Sequence, residues 1–301
     1  MHLQRQALLD LKPTSLFLVC IDSDGCVFDN MELKHKECFC PNIIRYWRLQ
    51  SVSKCAREAV EFINLYSKWR GINRWPALVM TMDLLRERAE VRARHAMIPE
   101  LPKVKEFLKS GNPLSNDGLR AFSSSRRDSE LLKALEWSEA VNQSIRDIVS
   151  GVPPFPFVRE ALEKLRKKTD SIVVSQAPSE VLERDWKEHE LSHFVRMIAG
   201  QESGTKVEQL RLVSEIRYKK DHVLMVGDAM GDLKAARANG NLFYPINPGA
   251  EEESWDRFNR EAVNKFLNGE YAGQYEEMLV DEFVDRVPEL APWQMSRTSH
   301  S

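Results

Sequence analysis

Five short apolar runs, each closed by a polar or turn residue, punctuate the chain: Ser15 to Ile21, Ser171 to Val174, Val195 to Ala199, His222 to Val226 and Leu242 to Ile246. Their near-continuous apolar character predicts strands covered on both faces, as in a parallel sheet. Helical patterns alternate with the last four, over Val158 to Lys168, Ser179 to His189, Val207 to Tyr218 and Gly231 to Ala238. This alternation predicts an α/β fold with a doubly wound parallel sheet.

The rhythm breaks between the first and second runs, where Asp22 to Asp170 contains no convincing strand. Ala56 to Trp69 instead sets Ala59, Phe62, Ile63, Tyr66 and Trp69 at helical spacing, and Leu78 to Ala96 and Ser129 to Val149 read the same way. We therefore expect an inserted all-helical cap domain over residues 31–150. The α/β core would then comprise 1–30 and 151–301, including a C-terminal helical extension. Pro153-Pro154-Phe155-Pro156 marks the return to the core, since consecutive prolines stop helices. After Pro248, Trp255, Phe258, Val263, Phe266 and Leu267 predict terminal helices, and Met295 to Ser301 reads as a loose tail.

Composition narrows the class. With 301 residues, 43% hydrophobic and 29% charged, the chain is an ordinary globular one, large enough for a domain with an insertion. The segment from Met1 to Lys12 lacks an apolar signal core, and no apolar run approaches membrane-spanning length. Five cysteines, Cys20, Cys26, Cys38, Cys40 and Cys55, show no framework spacing and read as reduced thiols, so the expected location is cytoplasmic. Cys38 and Cys40 lack partner ligands at zinc spacing. Basic and acidic residues number 43 and 45, which gives no reason to expect nucleic-acid binding, and nothing implies a protein partner or a membrane. Residues 31–150 nonetheless hold 21 basic against 15 acidic side chains, a local +6 that could attract an anion.

The chemistry gathers where strands end. Asp22 and Asp24 directly follow the first run, at the sheet edge where open α/β folds bind ligands. Residues two apart on an extended chain point the same way, and Gly25 relaxes the turn that follows. Asp228 and Asp232 follow the fourth run, four apart at a helix start and so on one face. Alone, the first pair also fits an acidic turn and the second a helix cap. Together they make a hard oxygen cage suited to Mg²⁺. Ser175, with the backbone N–H groups that follow it at Gln176, is placed to hold a phosphate oxygen, and Lys206 to bring an ammonium among the carboxylates.

In this order, Asp22-x-Asp24-Gly25, Ser175, Lys206 and Gly227-Asp228-x-x-x-Asp232 resemble the four motifs of the haloacid dehalogenase-like (HAD) hydrolase superfamily, over Ser15 to Ile246. The resemblance implies a Rossmannoid core, and the helical insertion is similar to that superfamily's first type of cap. It implies that Asp22 attacks phosphorus to give an aspartyl-phosphate and that Asp24 serves as acid and then base. It implies Mg²⁺ held by Asp22, the Asp24 carbonyl and Asp228, with Asp232 supporting. Asp24 argues against dehalogenation, because dehalogenases of this fold lack the second aspartate. Val207 stands where relatives often carry Pro, and Cys26 where Thr or Val is commoner.

The expected activity is hydrolysis of a small phosphorylated metabolite, a phosphate monoester, by a Mg²⁺-dependent phosphatase. A phosphomutase is the rival reading, and a non-catalytic binding protein on the same fold the third. For substrate contacts the cap offers Arg70 and Arg74, in Lys68-Trp-Arg-Gly-Ile-Asn-Arg-Trp-Pro76, which resembles the specificity loop of such caps; an ordinary helix connection fits the same segment. Lys34, His35 and Lys36 form a second basic patch. Trp47, Trp69, Trp75 and Trp137 read as cap core.

Overall fold

The computed structural model describes residues 2–124 and 128–298. The chain forms two compact units: residues 1–31 with 151–287, and residues 32–150 with 288–301.

In the first unit five strands form one parallel sheet, β1 (Leu18–Ile21), β2 (Asp170–Val174), β3 (Met197–Ala199), β4 (Val223–Gly227) and β5 (Leu242–Pro245), in the order β3-β2-β1-β4-β5. β1 lies at the centre, with Leu18 opposite both Asp170 and Val223. Its side chains alternate between two apolar layers. Val19 and Ile21 join Val173, Leu224 and Val226 against Leu162, Trp186, Trp255 and Phe258, whereas Leu18 and Cys20 join Ile172, Val174 and Met225 against Leu210, Val213 and Ala236. Burial on both faces is why these strands read as unbroken apolar runs instead of alternating ones. All five expected strands are present: β1 and β3 start three and two residues later than expected, β5 ends one residue earlier, β2 starts one residue earlier, and β4 is shifted by one.

The helices Val158–Arg166, Ser179–Glu188, Lys206–Ser214 and Met230–Asn239 fill the connections. The third ends four residues before the expected Tyr218, with Ile216 held at φ 69°, a conformation a β-branched residue cannot carry through a helix. The amino-terminal segment, for which the apolar pattern predicts no element, forms a helix, His2–Asp10. Leu8 is fully buried in the second apolar layer, and Arg217 donates to the carbonyls of Leu8 and Leu9.

Among the described residues the second unit contains helices and no strand. Its principal elements are the continuous helical stretch 31–46, Ser53–Asn64, Arg74–Glu87, Pro102–Leu108, Asn116–Ser123 and Ser129–Ile148. The expected helix over Leu78 to Ala96 is divided: Arg74–Glu87 stops at Arg88, whose backbone is extended, before Ala89–Ala93. Trp75 and Trp137 are completely or almost completely buried, and Trp137 meets Trp47 and Trp75 edge-on at 5.5 and 5.9 Å. These geometries place the tryptophans in the core of the unit.

The end of the chain departs from the expected boundary. Residues 288–298 group with the helical unit and not with the α/β core. Ala291 is buried against Phe62, Ile63 and Ala77, Trp293 lies edge-on to Phe62 at 5.9 Å, and the Arg88 guanidinium sits 4.4 Å from the Trp293 ring. Pro292–Thr298 is a helix where the polar sequence suggests a loose tail; Ser299 to Ser301 lie outside the described residues.

Candidate active site at the carboxyl edge of the sheet

β1 ends at Ile21, and the Asp22 amide continues the ladder by donating to the Val226 carbonyl at 2.9 Å. Beyond it the chain turns tightly. The amides of Val27 and Phe28 both donate to the Ser23 carbonyl, and Gly25 takes φ 73° and donates to the Phe28 carbonyl. That positive φ is why glycine suits the fourth position of the motif. Two indoles hold the loop from within the core: Trp186 donates to the Ser23 hydroxyl at 3.0 Å and Trp255 to the Cys26 carbonyl at 2.7 Å.

β4 delivers the second acidic pair. Asp232, fully buried in the first turn of Met230–Asn239, accepts the Ala229 amide at 3.1 Å. A Cβ at Gly227 would meet Asp232 carboxyl atoms at 2.4–2.5 Å, so only glycine leaves space for that side chain. Asp22, Asp228 and Asp232 are all buried, and each presents an oxygen within 4.8 Å of the other two.

Lys206 is the first residue of its helix, which begins with a capping box between Thr205 and Glu208. Its ammonium lies 2.7 Å from Asp22 Oδ2 and 2.5 Å from Asp232 Oδ1. Burial disfavours the ammonium, but the two carboxylates more than offset this and hold Lys206 above its ordinary range. Burial pushes the Asp22 carboxyl up to about 6, with Lys206 pulling it down and the Asp228 charge raising it further. Asp232 is likewise raised by burial, against the pull of Lys206.

Ser175 ends β2 buried, its amide bonded to the Ala199 carbonyl and its hydroxyl accepting the Ala177 amide at 3.2 Å. Gln176 is exposed and its side-chain amide donates to the Gly204 carbonyl at 3.0 Å. Asp24 is half-buried, and its carboxylate accepts the Asn30 amide at 2.5 Å.

Two buried residues complete this edge with little warning from the sequence. Asn30 anchors Asp24, and its only signal is its position six residues later. Gln209, one helical turn beyond Lys206, donates to the carbonyls of Ser175, Gly200 and Gly204 at 3.2, 2.9 and 2.9 Å. It thereby fastens the end of β2 to the loop that presents Lys206.

Arg70 and Arg74 lie in the helical unit and are engaged there. Buried Arg70 donates to the Leu65 carbonyl at 3.0 Å. Arg74 donates through one nitrogen to the Ser138 carbonyl and hydroxyl and to Asn142, and burial lowers its pKa to about 10. Of the Lys34 to Lys36 patch, His35 is buried against Phe39 and Lys36 pairs with Glu32 at 2.7 Å. All five cysteines are free and buried. Among the described residues, no helix is long and apolar enough to cross a membrane.

A central parallel sheet whose carboxyl edge gathers three buried carboxylates and one lysine from separate loops defines an α/β enzyme acting at its strand ends. The chain belongs to the haloacid dehalogenase-like hydrolase family, whose sequence model matches residues 78–244, more than half its length. That match begins after Asp22 and Asp24; geometry unites Asp22 with Lys206, Asp228 and Asp232. No curated protein matches the chain significantly. Among solved structures it is similar to a haloacid dehalogenase-like family hydrolase from Xanthomonas campestris, with 13% identity, 84% of this chain and 93% of that one covered, and a TM-score of 0.46. A haloacid dehalogenase-like family hydrolase from Streptococcus pneumoniae shares 14% identity over 80% and 91% of the two chains, TM-score 0.42. A predicted phosphoglycolate phosphatase from Haemophilus somnus shares 16% over 77% and 86%, TM-score 0.41.

Proposed function

We propose that this hydrolase is a Mg²⁺-dependent phosphatase that cleaves a small phosphate monoester through an aspartyl-phosphate at Asp22. The observation that carries the reading is the Lys206 ammonium bonded to both Asp22 and Asp232 while Asp228 completes a triple of carboxylates. Three buried carboxylates against one buried ammonium leave an excess of two negative charges; burial is the main cause of the upward shift of Asp22, and the Asp228 charge adds to it. An all-oxygen donor set with this deficit fits a hard divalent cation, with Asp22, Asp228 and Asp232 as the side chains that would hold it. When bound, the cation would neutralise charge on the phosphoryl oxygens and favour ionised Asp22.

The chain's own groups then have distinct tasks. Asp22, at the strand end, is the nucleophile, and its ionised form is required for attack on phosphorus. Asp24, positioned by Asn30, would protonate the leaving oxygen and afterwards take a proton from the attacking water. The Ser175 hydroxyl and Lys206 would donate to phosphoryl oxygens as charge develops there. Selection of the rest of the substrate would fall to the helical insertion.

The test is phosphate release from a broad panel of phosphate esters with Mg²⁺, using wild type and Asp22→Asn. Release by wild type alone is expected, with ³²P retained on the wild-type protein after rapid acid quench. Absence of release from every ester would overturn the hydrolase reading, and conversion of a sugar phosphate without release would replace it with phosphomutase chemistry.

A further inference from the structure

The helical unit carries a concavity built from residues that the carboxylate site does not use. It lies where the helix Cys40–Tyr46 ends, beside residues 97–101 and the start of Ser129–Ile148, and has a volume of about 380 Å³. An adjoining pocket of about 330 Å³ shares Tyr46, Arg48 and Lys133 with it. Continuous helix runs from Glu32 to Tyr46, roughly 20 Å of rise, and Ser129–Ile148 spans about 30 Å. The concavity therefore sits at the end of the helical unit remote from the Met31/Glu32 and Ser150/Gly151 junctions.

Its wall is amphipathic. Tyr46, Trp47, Ile98 and Pro99 supply apolar surface, and Met97, 91% exposed, stands at the rim. Unbranched methionine can adapt to a ligand's shape. Arg45, Arg48 and Lys133 are exposed, and no carboxylate pairs with any of them among the described residues; Arg45 instead lies 5.8 Å from the centre of the Tyr46 ring. The acid on the wall, Glu130, is committed elsewhere: its Oε1 accepts the amides of Lys103 and Val104 at 2.8 and 2.9 Å.

The backbone supplies an independent observation. The helix ends with the Leu49 amide bonded to the Ile44 carbonyl at 2.9 Å and that of Arg48 to the Arg45 carbonyl at 3.4 Å. In this termination the residue with positive φ is usually glycine, yet here it is Arg48 at φ 54°. Leu101, on the same wall, is also held at φ 54°. Two larger residues thus occupy a conformation that costs stability, one placing a guanidinium at the pocket mouth and the other an apolar side chain in its wall.

We propose that this concavity is a second ligand site, taking a small organic anion whose aromatic or aliphatic body lies on Tyr46, Trp47 and Met97 and whose phosphate, sulfonate or carboxylate lies among Arg45, Arg48 and Lys133. Its size is that of a small-molecule pocket, and the arginine forks suit a tetrahedral or planar anion. The proposal is independent of the chemistry assigned to Asp22.

The full chain is titrated with 8-anilinonaphthalene-1-sulfonate, followed by its fluorescence, with uncharged N-phenyl-1-naphthylamine as comparison. One saturable equivalent is expected, unchanged in Asp22→Asn and at least tenfold weaker in the double variant Arg48→Glu, Lys133→Glu, whose folding is checked by circular dichroism. Arg48→Gly discriminates further, because relief of the positive φ should raise the unfolding midpoint while loss of the cation weakens the sulfonate several-fold. No saturable binding, equal affinity for the uncharged analogue, or unchanged affinity in the double variant or in Arg48→Gly would overturn the proposal. Loss of binding in Asp22→Asn would also overturn it, by placing the probe at the carboxylates.

Discussion

Replacing Asp22 by Asn should abolish turnover and, without added metal, make the protein more stable. Burial holds the Asp22 carboxyl up to about 6, even after the attraction of Lys206. At about 1.4 kcal/mol per tenfold change in proton affinity, an ionised Asp22 costs the folded protein about 3 kcal/mol at neutral pH. Well below pH 4 the group is protonated in folded and unfolded chains alike, so the cost vanishes there, and near pH 4 most of it is already gone. It grows as pH rises toward 6 and then stays constant. Asparagine removes the charge but can present an NH₂ to Lys206 where an oxygen accepted at 2.7 Å, a loss of about 1–2 kcal/mol. The net gain should be about 1–2 kcal/mol, or a few degrees in unfolding midpoint for a unit of this size. The assay is thermal unfolding of both proteins in EDTA at pH 7.5, repeated near pH 4, and again with Mg²⁺. Wild type alone should gain substantially from the cation, about 2.7 kcal/mol at a hundredfold excess over the dissociation constant. Equal or lower stability of the variant in EDTA at pH 7.5, or an equal Mg²⁺ response in both proteins, would refute the reasoning.

The other expectations concern single contacts. Gly227→Ala sets a methyl against Asp232 at 2.4–2.5 Å, so it should destabilise by about 1–3 kcal/mol and lower kcat by displacing the carboxylate from Lys206; wild-type stability and rate would exclude this packing role. Asn30→Ala removes the amide that positions Asp24 and should lower kcat roughly tenfold, about 1.4 kcal/mol, with little change in KM, as steady-state kinetics would show. With limiting Mg²⁺ the acid limb of kcat/KM should fall near pH 6 as Asp22 protonates, and saturating Mg²⁺ should move it lower by favouring the carboxylate; a limb indifferent to Mg²⁺ would contradict metal contact with Asp22.

By itself the chain determined the features governed by local pattern. Doubly covered strands are apolar at every position, so the five sheet runs and the helices between them were legible, and Asp22 and Asp228 could be seen at strand ends. The helical character of the insertion followed from spacing in the same way. Tertiary structure decided what depends on residues distant in sequence. That Asp22 and Asp232 share one ammonium follows from β1 and β4 being neighbours, and that Gly227 is required follows from Asp232 folding back over it. Asn30 and Gln209 look like ordinary polar residues until burial shows which carboxylate and which carbonyls they hold. Residues 288–298 are polar and proline-punctuated, so their pattern suggested an extension of the core and a loose tail. Their place in the helical unit rests on long-range contacts, among them Ala291 and Trp293 fitting a surface made by Phe62, Ile63, Ala77 and Arg88, and no local periodicity encodes a fit of that kind.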